Sequence, residues 1–229
     1  MKTSSSYPFR SARAKAEFLA HYTERARVWP IASETQLVET PSGQTYIRMS
    51  GRLTHPPLVL LPGLRATSLM WFPNIAALSA HYRTYALDSI YDIGLSVNRR
   101  DITKPEDLVN WLDEVFAVLA PEGSLSLVGL SYGGWLASRY ALRFPKRLHK
   151  VVLLAPAPTV LPVSFAYIAR ALLTLIPGTH FRKKFLYWLL QDTVQSGEPG
   201  RAHWLCPVLH SHSQTRRRAT DFAQVGLHA

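Results

Sequence analysis

The residue whose neighbours give it the setting for chemistry is Ser131, in Gly129-Leu130-Ser131-Tyr132-Gly133. The pentapeptide has the form G-x-S-x-G. An apolar segment, Ser124 to Leu130, precedes it, and a helical pattern over 132–144 follows it. In that setting the serine sits on a tight strand-to-helix turn that lifts its hydroxyl clear of the sheet. Glycine is needed at 129 and 133 because side chains there would collide with neighbouring backbone. The chemistry such a serine suits is nucleophilic attack on a carbonyl carbon.

A serine hydroxyl is a weak nucleophile until a base accepts its proton and an acid orients that base. The acidic residues downstream are Asp192, Glu198 and Asp221, and the histidines weighed as a base are His203, His210, His212 and His228, all downstream of Ser131. None follows an apolar strand. The strand pattern at 151–154 runs into Ala155-Pro156-Ala157-Pro158 and offers no carboxylate. Each histidine is therefore read as solvated and non-catalytic. His210-x-His212 lacks a third ligand at sensible spacing, so no metal is expected, and no cofactor is expected either.

The elements that would position Ser131 alternate between strand and helix. Residues 11–29 read as a helix with Phe18, Tyr22, Ala26 and Trp29 on one face. Residues 35–40 and 45–50 flank Pro41-Ser42-Gly43 and read as a hairpin. Pro57 to Leu61 is a continuous apolar run, suited to a strand buried on both faces, and 84–87 and 151–154 are further short strands. Over 104–119, Leu108, Trp111, Leu112, Val115, Phe116 and Leu119 follow helical spacing. Thr103 with Glu106 has capping-box spacing there. Beyond residue 158 two amphipathic helices, 165–176 and 181–190, meet at Pro177-Gly178. Such alternation predicts right-handed βαβ units and a mostly parallel sheet, made mixed by the hairpin.

Composition narrows the class. A chain of 229 residues that is 47% hydrophobic folds around a sizeable core. One cysteine, Cys206, excludes an internal disulfide. The N-terminus has no apolar leader core, and the run over 160–176, broken by Pro162 and Arg170, falls short of the ~20 residues of a spanning helix. The expected location is cytoplasmic. The net charge of +11 favours anionic partners. Its clusters, Arg182-Lys183-Lys184 and Arg216-Arg217-Arg218, sit in no nucleic-acid motif, and no specific nucleic-acid partner is expected.

Four segments together resemble the α/β-hydrolase superfamily. They are Leu60-Leu61-Pro62-Gly63-Leu64 with Ser68, Met70 and Trp71; Tyr85-Ala86-Leu87-Asp88 with Gly94 and Ser96; the G-x-S-x-G elbow; and Val152-Leu153-Leu154-Ala155-Pro156. The resemblance covers about residues 30 to 195. It implies a doubly wound, mostly parallel sheet with an N-terminal hairpin and a helical lid. It divides the chain into an N-terminal helical extension (1–30), a core (31–158), a lid (159–195) and an irregular basic tail (196–229).

The resemblance also implies roles. Ser131 matches the nucleophile, and Gly129 and Gly133 its motif glycines. The backbone N–H groups of Leu64 and Tyr132 match the oxyanion donors. Asp88 matches an aspartate that organises the loop after its strand. The sequence departs from the family at Pro62, where histidine is usual, and at Tyr91 and Ile93, in a loop usually richer in glycine. It departs most after about residue 203, where the last strands with the acid and the histidine of the triad are missing, leaving an exposed edge on the 151–154 strand open to self-association. The implied function is an esterase-like serine hydrolase with an incomplete triad, acting on a small-molecule ester with an apolar portion. The alternatives are a non-catalytic, shortened relative and a basic protein that binds anionic membrane or nucleic acid.

Overall fold

The computed structural model describes residues 9, 11–120, 123–157, 164–176 and 179–189. Asp192, Glu198, Asp221, His203, His210, His212, His228, Pro177-Gly178 and the Arg216–Arg218 cluster lie outside the described residues, as does the basic tail.

The chain opens with helix α1 (Ala12–Arg27), capped by the Ser11 hydroxyl accepting from the Ala14 N–H. Strands β1 (Glu34–Thr40) and β2 (Gly43–Ser50) form the expected hairpin, with Glu34 opposite Met49 and Thr40 opposite Gly43. β3 (Pro57–Leu61), helix α2 (Phe72–Ser79), β4 (Arg83–Leu87) and a two-residue β5 (Val97–Asn98) follow. Then come α3 (Pro105–Leu119), β6 (Leu125–Leu130), α4 (Tyr132–Arg143), β7 (Leu148–Leu154), α5 (Phe165–Leu173) and α6 (His180–Leu189).

The sheet runs β1-β2-β4-β3-β6-β7, with β5 on β2. β3 pairs in parallel with both β4 and β6, and β7 pairs in parallel with β6. The chain leaves β3 for β4 on one side and returns through α3 to β6 on the other. That reversal opens a crevice beyond the carboxyl ends of β3 and β6, where ligands bind in sheets of this kind.

Alternation along β3 divides the core. Val59 and Leu61 join α3 and α4 through Trp111, Leu112, Val115, Phe116 and Tyr140. Leu58 and Leu60 pack on the other face with Trp29, Trp71 and Ile75. Each such fully buried side chain contributes about 1.5–3 kcal/mol. Trp111 and Tyr140 also satisfy their polar ends, on Thr45 Oγ1 at 2.8 Å and Asp113 Oδ1 at 2.8 Å.

The cap of α3 corrects the sequence reading by one residue. Lys104, at φ −142° and ψ 158°, is the N-cap. Asp107, not Glu106, reaches back, its carboxylate accepting the N–H groups of Thr103 at 2.9 Å and Lys104 at 3.1 Å. β7 begins three residues before the apolar run that announced it. Most of its residues are exposed, with Val152 at 47%. α5 and α6 pack through Tyr167 on Phe185 at 5.4 Å between ring centroids and Arg170 over the Trp188 ring at 4.5 Å.

Candidate active site

Ser131 stands between the end of β6 and the start of α4 with φ 50° and ψ −112°. A residue with a Cβ resists this conformation, at a cost of about 1–3 kcal/mol. Hydrogen bonds on both sides hold it. The Ser131 N–H donates to Leu154 O at 2.9 Å, and Ser131 O accepts from Trp135 N at 3.0 Å and Ala157 N at 3.0 Å. The flanking glycines are needed for space. A Cβ at 129 would lie 2.2 Å from Gly133 O, and one at 133 would lie 2.5 Å from Pro62 O and 2.6 Å from Leu61 O.

The loop after β3 runs beside this turn. A Cβ at Gly63 would lie 3.7 Å from Ser131 Cβ. Gly63 to Ala66 form a turn closed by the Ala66 N–H to Gly63 O at 3.2 Å, with Arg65 at φ 57° in its third position. Met70 contributes its sulfur to the Gly63 N–H at 3.3 Å. The Leu64 N–H has no acceptor among the described residues. Tyr132 is the first residue of α4, so its N–H has no intrahelical acceptor. Two backbone donors on adjoining segments thus have no acceptor among the described residues.

Two aspartates of the β4 loop tie this region together. Asp88, fully buried, accepts the Ser68 N–H at 2.7 Å and the Leu95 N–H at 2.9 Å. Its carbonyl accepts from the Ser96 hydroxyl at 2.7 Å, and Ser96 in turn accepts the Tyr46 N–H at 2.8 Å. The Tyr22 hydroxyl of α1 meets Ser68 Oγ at 3.1 Å, fastening the N-terminal helix to the same loop. Burial pushes the Asp88 carboxyl above the ordinary carboxylate range, and its hydrogen bonds to Ser68 and Leu95 oppose the rise.

Asp92 was not singled out by the sequence. Its carboxylate accepts the Arg65 N–H and, at 2.7 Å, the Ile93 N–H. Burial pushes its carboxyl up as well. The Tyr132 phenol is raised first by burial and then by the Asp92 charge. Its hydroxyl is buried and has no hydrogen-bond partner among the described residues. A carboxylate four residues after Asp88, in a loop with little glycine, was the signal available.

No described histidine stands as a base beside Ser131. His55 and His81 lie in the turns entering β3 and β4, at the opposite end of the sheet from the elbow. His149, five residues from the carboxyl end of β7, is about 17 Å of strand away from it. His21 is on the exposed face of α1 near Glu24, and His180 packs on Phe181. Among the described residues no three His, Cys, Asp or Glu side chains gather as metal ligands do. No described helix is long and apolar enough to cross a membrane.

A profile of the alpha/beta hydrolase family matches residues 58–227. The uncharacterized carboxylesterase nap of Bacillus subtilis strain 168 is 39% identical over 172 residues, covering 75% of this chain and 56% of that protein. Carboxylesterase YbfK of the same organism is 33% identical over 191 residues, covering 82% and 62%. The chain therefore spans about three-fifths of the length of these two relatives. In structure it is similar to the naproxen esterase (carboxylesterase NP) of Bacillus subtilis, with a TM-score of 0.81 and 31% identity over 96% of this chain and 75% of that one.

Proposed function

The chain belongs to the alpha/beta hydrolase family, and from that membership we propose that it transfers the acyl group of a small carboxylic ester to Ser131. The observation that carries this reading is the strained Ser131 turn beside two N–H groups with no acceptor among the described residues, those of Leu64 and Tyr132. Ser131 Oγ bonds to the carbonyl carbon, and the charge that develops on the carbonyl oxygen is received by these two donors. The bond to the leaving alcohol breaks, and the alcohol departs with the proton that a base took from Oγ. Water then gives a proton to the base and bonds to the acyl carbon, the bond from that carbon to Ser131 Oγ breaks, and Oγ takes the proton back as the carboxylic acid leaves. The names of the two curated relatives, both carboxylesterases, support an ester over an amide. The apolar residues Phe165, Ile168 and Leu172 exposed on α5 support an apolar acyl or alkyl portion.

A second reading, a protein that binds without turnover, rests on the described residues alone, among which His55, His81 and His149 stand away from the elbow. One experiment separates the two. The purified chain is treated with a fluorophosphonate probe beside Ser131→Ala, and p-nitrophenyl butyrate hydrolysis is followed in parallel. Labelling and hydrolysis that both disappear in Ser131→Ala are expected. A folded chain that takes no label at Ser131 sinks the esterase reading and leaves the non-catalytic one.

A further inference from the structure

We propose that Asp92 is a positioning residue: its carboxylate holds the Gly63–Ala66 turn so that the Leu64 N–H faces Ser131. The inference rests on the acyl-transfer reading above. A turn with a left-handed third residue ordinarily places glycine there, because a Cβ opposes positive φ. Here that residue is Arg65, at φ 57°. Something must hold it, and the Arg65 N–H is donated to the Asp92 carboxylate. The peptide plane carrying that N–H is the one that joins Leu64 to Arg65, so fixing it fixes the orientation of Leu64. The second carboxylate oxygen is occupied by the Ile93 N–H at 2.7 Å, which anchors Asp92 to its own loop.

The field of the same side chain reaches the other donor residue, Tyr132. Asp92 lies near enough to the Tyr132 phenol to raise it, while the ring stacks on Trp135 at 5.2 Å between centroids. One side chain thus binds the turn of the first donor through a backbone N–H and acts on the residue of the second through its field. The two N–H groups meet different oxygens of Asp92, and asparagine would set an NH2 donor against one of them.

The test uses the full chain. Rates of fluorophosphonate labelling at Ser131 are measured against probe concentration for wild type, Ser131→Ala, Asp92→Asn and Asp92→Asn combined with Arg65→Gly. Asp92→Asn is expected to slow the maximal labelling rate at least about tenfold while half-saturating probe concentration changes little. Arg65→Gly in that background removes the Cβ that opposes positive φ and is expected to recover about fivefold or more. Asp92→Asn labelling at the wild-type rate, or no recovery in the double variant, overturns the proposal while leaving Ser131 as nucleophile. Absence of Ser131-dependent labelling in wild type removes the parent reading and this one with it. Amide exchange on wild type needs no variant. The Arg65 amide is expected to exchange at least about tenfold more slowly than the Leu64 amide. Equal rates refute the carboxylate contact even if Asp92→Asn does not fold.

Discussion

Replacing Ser131 by glycine should make the protein more stable than replacing it by alanine. The backbone there is at φ 50° and ψ −112°, which costs a residue with a Cβ about 1–3 kcal/mol. Alanine keeps the Cβ and the strain, so Ser131→Ala is expected to stay within about 0.5 kcal/mol of wild type. Glycine relieves the strain but loses about 0.5–1 kcal/mol to its greater freedom when unfolded. The net gain lies between about 0 and 2.5 kcal/mol, centred near 1 kcal/mol, or roughly 2 to 4 °C in midpoint at that centre for a chain of this size. Thermal unfolding of the three proteins, followed by circular dichroism at one scan rate, reads the difference directly. Because the hydroxyl is absent from both variants, the comparison isolates the Cβ. A glycine variant that melts at or below the alanine variant would refute the argument that the turn stores strain.

Three further substitutions test the packing and the charge. Gly129→Ala forces a Cβ to within 2.2 Å of Gly133 O, and since backbone cannot rotate away, a loss of about 3 kcal/mol or more is expected in urea unfolding. Gly123→Ala meets nothing within 4 Å and should shift the midpoint little or upward, so equal losses at the two sites would be inconsistent with the packing described. For Asp88, burial raises the folded carboxyl above its unfolded value, so its stabilising contribution is full below that unfolded value and fades as pH rises through the folded one. Asp88→Asn should therefore be more damaging at about pH 4 than at about pH 7, measured as the difference in urea midpoint from wild type; a penalty that grows with pH would contradict this sign.

Much of the frame was readable because its elements are periodic. The five apolar residues of β3, the heptad-like face of α3 and the glycines around Ser131 each require one local structure whatever surrounds them. Where the structure departs from the reading, the deciding contacts are not periodic. The α3 cap has Thr103 and Glu106 at the expected spacing, yet Pro105 takes the first helical position and shifts the cap to Lys104 and Asp107. β7 starts with Leu148, His149 and Lys150, where two polar residues separate Leu148 from the apolar run and hide the start of the strand. β5 is too short to leave a pattern. Asp92 belongs to the same class: its partner is a backbone N–H on a loop 27 residues earlier, and only the folded chain brings them together.

The bond from the Ser131 N–H to Leu154 O also has a consequence for motion. The turn that bears the Ser131 hydroxyl is clamped from the side by the last residue of β7, and β7 pairs only with β6 among the described strands. Edge strands with exposed faces are where sheets breathe first, through openings far cheaper than global unfolding. Each such opening would free the serine from its strained geometry before the sheet itself is lost. Mild heat or denaturant should then silence Ser131 while the far-ultraviolet spectrum is still native. Any partner that seals the β7 edge would stiffen the elbow from a distance, without touching the crevice.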